Sequence, residues 1–476
     1  MGKQLVIEPI TRIEGHGKIT ITLDDQGNVS DAKFHVTQFR GFEKFCEGRP
    51  YYEMPSLVER ICGICPISHS LASAKACDAI LGVRVPETAV KLRRLLNCGE
   101  FIGSHALSFF HLSSPDLLLG MDADPAARNI MGVLEANPTL AHNGIQLRKV
   151  GQLVIEAFAG KRIHPSWVVP GGVNAALTRE DRDKIMGLLP EAKTATLAAL
   201  GWFKDVLKNF RAEIAAFANF PTLFMGLVKE DGNLALTDGT LRVIDAKGQI
   251  VAEHIDPKDY AAYIGESVEA FSYLKSPYYK PLGYPEGIYR VGPAARLNVC
   301  SGCGTPLADQ EWAEFRSYER GPLLSSFYNH YARLIEILYC IETIERLMAD
   351  PAILNPEDIR AHARPNFGEG IGCVEAPRGT LFHHYRVDRH GLMTWANMIV
   401  ATGNNNLAMN RGVQQVAERF ISGKAISEGA LNRMEAVIRA FDPCLSCSTH
   451  AVGRMPLLIE LIAADGTCLD TVQRGG

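Results

Sequence analysis

Arg60-Ile61-Cys62-Gly63-Ile64-Cys65-Pro66-Ile67-Ser68-His69 and Asp442-Pro443-Cys444-Leu445-Ser446-Cys447-Ser448-Thr449-His450 are the two stretches on which the reading of this chain turns. In each, two residues separate a pair of cysteines, so both sulfurs can turn toward one ion. Two such pairs offer four thiolates, and soft thiolates favour zinc, iron–sulfur clusters or nickel. A histidine follows each pair, able to ligate or to hydrogen-bond a thiolate. Structural zinc and plain packing or redox thiols are the competing readings. A large helical chain does not need a zinc staple to fold. The pairs also lie at opposite ends of the sequence, unlike a compact zinc ribbon. If they share one site, the two ends of the chain meet in the middle of the fold.

Around these stretches the chain has 476 residues, 47% hydrophobic and 21% charged, a globular balance that allows a sizeable core. The net charge is −4 with no basic stripe, which argues against nucleic acid as a partner. No apolar run reaches the length of a membrane span. The N-terminus lacks a long apolar signal segment. The expectation is a cytoplasmic protein, in which cysteines are thiols or metal ligands rather than disulfides. Cys300-Ser301-Gly302-Cys303-Gly304 holds a third pair, but its glycines read as a turn with inert thiols. Cys46, Cys77, Cys98, Cys340, Cys373 and Cys468 read as packing.

Alternation and β-branching predict strands at 3–7, 18–23 and 31–36, the last two joined by Asp24-Asp25-Gln26-Gly27-Asn28. Leu92, Leu95, Leu96, Ile102, Ala106 and Phe109 keep helical spacing, as do Phe203, Val206, Leu207, Phe210, Ile214 and Phe217. Long helices are expected near 125–160, 180–219 and 322–349. Turns such as Glu230-Asp231-Gly232-Asn233 punctuate 221–300. A hairpin is expected around Asp465-Gly466. The expected class is mainly α with small α+β elements, a central helical bundle with peripheral β-hairpins. Its parts are a β-rich 1–50, a helical core at 51–220 with the first pair, and a mixed insertion at 221–300. A second helical core follows at 301–450 with the second pair, then a C-terminal extension at 451–476.

The 60–69 stretch resembles the R-x-C-G-x-C-x-x-x-H segment of nickel–iron hydrogenase large subunits, and 442–450 resembles their D-P-C-x-x-C-x-x-H segment. Arg12-Ile13-Glu14-Gly15-His16-Gly17, Arg40-Gly41-Phe42-Glu43 and Glu375-Ala376-Pro377-Arg378-Gly379 resemble further segments of that family. All occur in family order and together span most of the chain. The texture of Leu445-Ser446-Cys447-Ser448-Thr449-His450 is similar to the cytoplasmic, bidirectional, NAD-linked branch.

The resemblance implies the nickel–iron hydrogenase large-subunit fold and a nickel bound by Cys62, Cys65, Cys444 and Cys447. Cys65 and Cys447 would bridge it to an iron carrying cyanide and carbon monoxide. His69 would donate a hydrogen bond to a bridging thiolate; its plainer reading is a satisfied buried histidine. Glu43 and His450 would hold magnesium, with a backbone carbonyl near Met398. Cys444 would take the proton from heterolysis of dihydrogen, and Glu14 would pass it outward. The plainer reading pairs Glu14 with Arg12 or has it cap a turn. Arg378 would overhang the metals with Asp442 nearby. Pro377 and Thr402 would line the diatomic ligands. Ser104 departs from the family, many of whose members carry an aspartate there.

Oxidising dihydrogen releases electrons that need an exit. No further closely spaced cysteine run announces a cluster, and no G-x-G-x-x-G follows a strand. The expected partners are a small subunit carrying iron–sulfur clusters, joined by a large, mostly apolar interface, and flavin diaphorase subunits using NAD. Family members are commonly cut after the histidine matching His450, so a maturation protease and loss of 451–476 are expected. The alternatives are a deazaflavin-linked, NADP-linked or sensory hydrogenase, a non-catalytic respiratory-complex relative, and a structural zinc protein.

Overall fold

Alternating apolar residues at the N-terminus build an antiparallel sheet of Gln4–Ile7, Gly17–Leu23 and Val29–Val36, in that order. Ala32, Phe34 and Val36 point into the core while their neighbours face outward. Asp24 turns the hairpin: its carbonyl accepts from Gly27 N–H and its carboxylate from Asn28 N–H. The computed structural model describes residues 4–357, 359–421 and 427–450, and the backbone of strands Leu457–Ile462 and Cys468–Arg474. Residue 3 of the expected first strand lies outside the described residues.

The core is a packed set of long helices. Glu87–Ala106 lies against Pro138–Ala159 and Asn329–Met348, and Arg179–Leu207 packs on the latter two. Gly151 sits so close to Gly103 that a Cβ there would strike the Gly103 backbone, so the two helices cross in near-contact. Asn329–Met348 is buried on nearly every side and forms the centre. The long helix expected near 125–160 is two, Ile130–Ala136 and Pro138–Ala159, divided at Asn137, whose side chain caps the second. The stretch near 180–219 likewise divides into Arg179–Leu207 and Arg211–Ala216.

Within 221–300, Tyr289–Arg290, Leu223–Val228, Thr240–Ile244 and Ile250–Ile255 form a four-stranded sheet in that order, and Ile264–Val268 pairs with Lys275–Tyr279. The 301–450 stretch holds more than helices. Glu369–Ala376, Gly379–Val387 and Met393–Ile399 form a buried antiparallel sheet. Its first two strands lie on the helix Pro66–Leu81. Gly370 and Gly372 allow this approach: a Cβ on either would strike a backbone carbonyl of that helix, Ala76 or Ala72. Those glycines and the polar residues around them hide the strands from a hydrophobic pattern.

The chain ends meet as the separation of the cysteine pairs requires. Glu14 bridges Cys444 in parallel, and Leu445 N–H donates to the Glu14 carbonyl at 3.2 Å. Arg40 and Gly41 N–H groups both donate to the Thr449 carbonyl. Beyond this, Leu457–Ile462 pairs with Cys468–Arg474, the hairpin expected around Asp465-Gly466; its turn lies outside the described residues. Among the described residues no helix is long and apolar enough to cross a membrane.

Candidate metal centre

Each cysteine pair sits where the backbone changes direction. Cys62 follows the short turn Glu59–Ile61 in an extended conformation, and Cys65 caps the helix Pro66–Leu81, with Pro66 in its first turn. Ile64 and Cys65 N–H groups both point at Cys62 Sγ, at 3.2 and 3.3 Å. Cys444 precedes the short turn Leu445–Ser448, and its N–H donates to Thr402 Oγ1 at 2.9 Å. These turns bring Cys62 Sγ to 3.3 Å from Cys444 Sγ, and Cys65 Sγ to 3.7 Å from Cys447 Sγ. All four sulfurs lie within 4.8 Å of one another, buried and free of disulfides.

The electrostatics of this group call for a cation. The neighbouring thiols donate to Cys62, and with Arg378 they hold it well below the usual thiol range. Burial pushes Cys444 and Cys447 well above that range, and Cys65 is pushed up to about 11. One sulfur takes the charge and its neighbours are then refused it, because like charges this close in a buried site repel. Four ionised thiolates require a neutralising metal.

Arg378 stands over the group. Its Nε donates to the Asp442 carbonyl at 2.6 Å, one Nη donates to the Asp442 carboxylate at 3.2 Å, and the other reaches Ser104 Oγ at 3.3 Å. Burial opposes its charge, but Asp442, Cys444, Cys65 and Cys62 outweigh that and raise it above the ordinary guanidinium value. Asp442 ends the helix Glu428–Phe441 at φ 54°, the left-handed region that non-glycine residues avoid, and so turns the chain into Pro443 and Cys444. Beneath Arg378 lies a second, fully buried guanidinium. Arg296 grips both oxygens of Glu336 at 2.6 and 2.7 Å, reaches Glu375 at 2.9 Å, and donates to the carbonyls of Ala376 and Pro377, both at 3.0 Å. It thereby fixes the turn that carries Arg378. Nothing local in the sequence marks Arg296, whose partners are all remote.

Of the other expected site residues, Thr402 lines a small, largely apolar cavity with Cys65, Cys444, Ala376, Leu381 and Val400. Pro377 is buried but enters the structure through its carbonyl. Glu14 accepts from Ser446 N–H at 3.1 Å, two residues beyond Cys444, and is partly exposed. Arg12, its plainer partner, instead pairs with Asp116. His69 is buried beside the same cavity; its Nδ1 lies 3.1 Å from His383 Nε2, and no hydrogen bond to a thiol is formed among the described residues.

Glu43 is held by Lys275 at 2.9 and 3.1 Å and accepts from Met398 N–H at 2.8 Å. Met398 thus contributes its N–H to Glu43. Among the described residues, neither buried ring nitrogen of His450 has a hydrogen-bond partner. Burial first, then the Lys275 charge, lower that ring to about 3. Cys300 and Cys303 are buried, and burial raises both thiols, the behaviour of inert packing residues.

Comparison with known proteins agrees with this geometry. The family described as Nickel-dependent hydrogenase matches residues 40–142 and 241–450, and the family described as HoxL-like matches 4–39. The chain is 46% identical to the NAD-reducing hydrogenase HoxS subunit beta of Cupriavidus necator, over 99% of each chain. It is 42% identical to an F420-non-reducing hydrogenase chain of Methanococcus voltae, over 97% of this chain and 98% of that one. Among solved structures it is similar to an NAD+-reducing [NiFe]-hydrogenase in the H2-reduced state, with TM-score 0.91 and 46% identity, covering 94% of this chain and 99% of that one. A Ni-Fe-Se hydrogenase from D. vulgaris Hildenborough, 24% identical with TM-score 0.77, shares the fold. Four converging thiols, an overhanging buried arginine and matches along nearly the whole length have one explanation: this chain belongs to the nickel-dependent hydrogenase family, as a nickel–iron hydrogenase large subunit.

Proposed function

We propose that this chain carries out the reversible heterolytic cleavage of dihydrogen and passes the electrons, through a small subunit bearing iron–sulfur clusters, to flavin diaphorase subunits that use NAD. The convergence of Cys62, Cys65, Cys444 and Cys447 beneath Arg378 carries this reading. The acceptor rests on 46% identity to a relative named as NAD-reducing.

The thiol group fits a nickel–iron pair, because burial forbids four uncompensated thiolates. Cys62 and Cys444 would be terminal nickel ligands, and Cys65 and Cys447 would be shared with an iron carrying cyanide and carbon monoxide. Bound there, the metals supply Lewis acidity that polarises dihydrogen.

The chain's own residues do the rest. The Cys444 sulfur accepts the proton. Glu14 receives it and, being partly exposed, delivers it toward solvent. Arg378, locked by Asp442 and Ser104, keeps a fixed positive charge over the open side. The apolar cavity lined by Leu381, Val400 and Thr402 excludes water from the diatomic ligands. His69 supports a bridging thiolate. The ring nitrogens of His450, without a partner among the described residues, are a ready ligand, and with Glu43 they fit a magnesium ion.

The segment after His450 is removed by a maturation protease. The curated relative matches 99% of this chain, whereas the solved NAD+-reducing enzyme covers 94% although nearly all of that chain is matched. The enzyme works in the cytoplasm.

Infrared spectroscopy and metal analysis of the purified complex test the reading. Cyanide and carbon monoxide stretches that change under dihydrogen, with nickel present, are expected. Zinc without nickel, in protein lacking those stretches, would overturn it.

A further inference from the structure

His69 and Ser73 are one helical turn apart on Pro66–Leu81, and His383 and Tyr385 are two residues apart on Gly379–Val387. Four helical residues advance about 6 Å and two strand residues about 6.7 Å, so the spacings match. Gly372 and Gly370 pair with His383 and Tyr385 across the sheet, on the same face. Having no side chains, they let the helix come close enough for both contacts.

The result is a buried row of polar groups. His69 Nδ1 lies 3.1 Å from His383 Nε2, His383 Nδ1 lies 2.5 Å from Tyr385 Oη, and Tyr385 Oη lies 3.0 Å from Ser73 Oγ. All four residues are essentially inaccessible to water. With Nδ1 engaged, Nε2 is the nitrogen His69 has left for the cavity it lines with Cys65 and Cys444.

We infer that His383 and Tyr385 are positioning residues that set the tautomer of His69, so that its Nε2 carries a proton and donates toward the thiolates. The inference rests on the metal-site reading above. Each hydroxyl and each neutral imidazole has one hydrogen to give, so the stretch from Tyr385 through His383 to His69 can point only two ways. Pointing outward, His69 gives its hydrogen to His383, and a bare lone pair faces anionic sulfur. Pointing inward, Tyr385, whose hydroxyl in this structure donates to Ser73, turns it onto His383 Nδ1 and accepts from Ser73 instead, and His383 Nε2–H donates to His69 Nδ1. His69 Nε2–H is then free for sulfur. A buried thiolate favours the inward order, because it is stabilised by donors and opposed by lone pairs.

The test uses the complete enzyme complex and three variants. His383→Leu removes the donor to His69. His383→Gln keeps an amide donor near the place of Nε2. Tyr385→Phe removes one hydroxyl. Nickel content, the infrared stretches of the iron's diatomic ligands and the rate of hydrogen oxidation are measured. In nickel-loaded protein, His383→Leu is expected to shift the stretches and lower turnover about 10- to 100-fold. His383→Gln restores both toward wild type, and Tyr385→Phe shifts the stretches in the same direction by less. Wild-type stretches and turnover in both His383→Leu and Tyr385→Phe overturn the inference. Should His383→Leu fail to load nickel, Tyr385→Phe decides alone: shifted stretches support the inference and unshifted ones overturn it. A wild-type complex with neither nickel nor such stretches overturns the metal-site reading itself, a failure distinct from that of the row.

Discussion

Cys62 and Cys444 stand 382 positions apart in the chain, yet their sulfurs are 3.3 Å apart. The contact exists because the Glu14 backbone pairs with Cys444 and so ties the C-terminal turn to the N-terminal segment. Replacing Cys444 with serine leaves this backbone pairing in place and removes one soft ligand. Nickel content, measured by plasma mass spectrometry on the purified complex, is expected to fall to background with the fold retained by circular dichroism. Full nickel occupancy in that variant would remove Cys444 from the ligand set.

Glu14 touches the site through its carboxylate, which accepts from Ser446 N–H. A glutamine can keep that acceptor and cannot carry a proton onward. Glu14→Gln should therefore load metals normally and lose turnover by about 100-fold, within the range of a missing general base. A normal rate of hydrogen oxidation would reduce Glu14 to a backbone clamp.

Arg378 uses its planar fork on three acceptors, two of them on Asp442 and one on Ser104. Lysine keeps the charge and cannot span them. Arg378→Lys is expected to retain nickel and lower turnover by about 100-fold or more, the cost of one misplaced electrostatic donor. Steady-state rates with a dye acceptor at matched nickel content measure it.

Glu336 is fully buried between Arg296 and His105. Burial alone would raise its carboxyl, but Arg296 and then His105 outweigh that and hold it at about 2, below its ordinary 4.5. A depressed acid gives stability above its unfolded value and withdraws it as pH falls through the folded one. Urea midpoints should therefore drop between about pH 4.5 and about pH 2. Glu336→Gln leaves Arg296 less compensated and should cost about 3–5 kcal/mol at neutral pH. An unchanged midpoint would mean that the network relaxes around the loss.

Gly372 has no room for a methyl group: its Cβ would strike the Ala72 carbonyl and come within 2.9 Å of Lys75 Cβ. Gly372→Ala should lower stability by about 1–3 kcal/mol by pushing the sheet off the cysteine-bearing helix. Gly187, inside Arg179–Leu207 with open space around it, is the control. Gly187→Ala should stabilise by up to about 1 kcal/mol. Calorimetric melting of the two variants separates packing from propensity.

The thiol set was legible because its chemistry is written locally: the two cysteine pairs lie in short stretches whose spacing stands out, whereas Glu14, Glu43, Arg378, Asp442 and His450 were singled out only by resemblance to nickel–iron hydrogenase large subunits. The N-terminal strands and the helical core were legible for a similar reason, since period two and period 3.6 survive wherever one face is buried and the other wet. The sheet Glu369–Ile399 was not, because glycines and buried polar residues break the alternation where strand and helix backbones touch.

Tertiary structure alone decided the rest. That the cysteine pairs share one site, that Arg296 holds the turn under Arg378, that Lys275 meets Glu43, and that His383 and Tyr385 form a row with His69 all depend on contacts between remote segments. The sequence by itself determined which groups are able to bind a soft metal and to move protons, since those are properties of side chains. Which groups meet, and in what state of charge, depends on burial and on neighbours that only folding supplies.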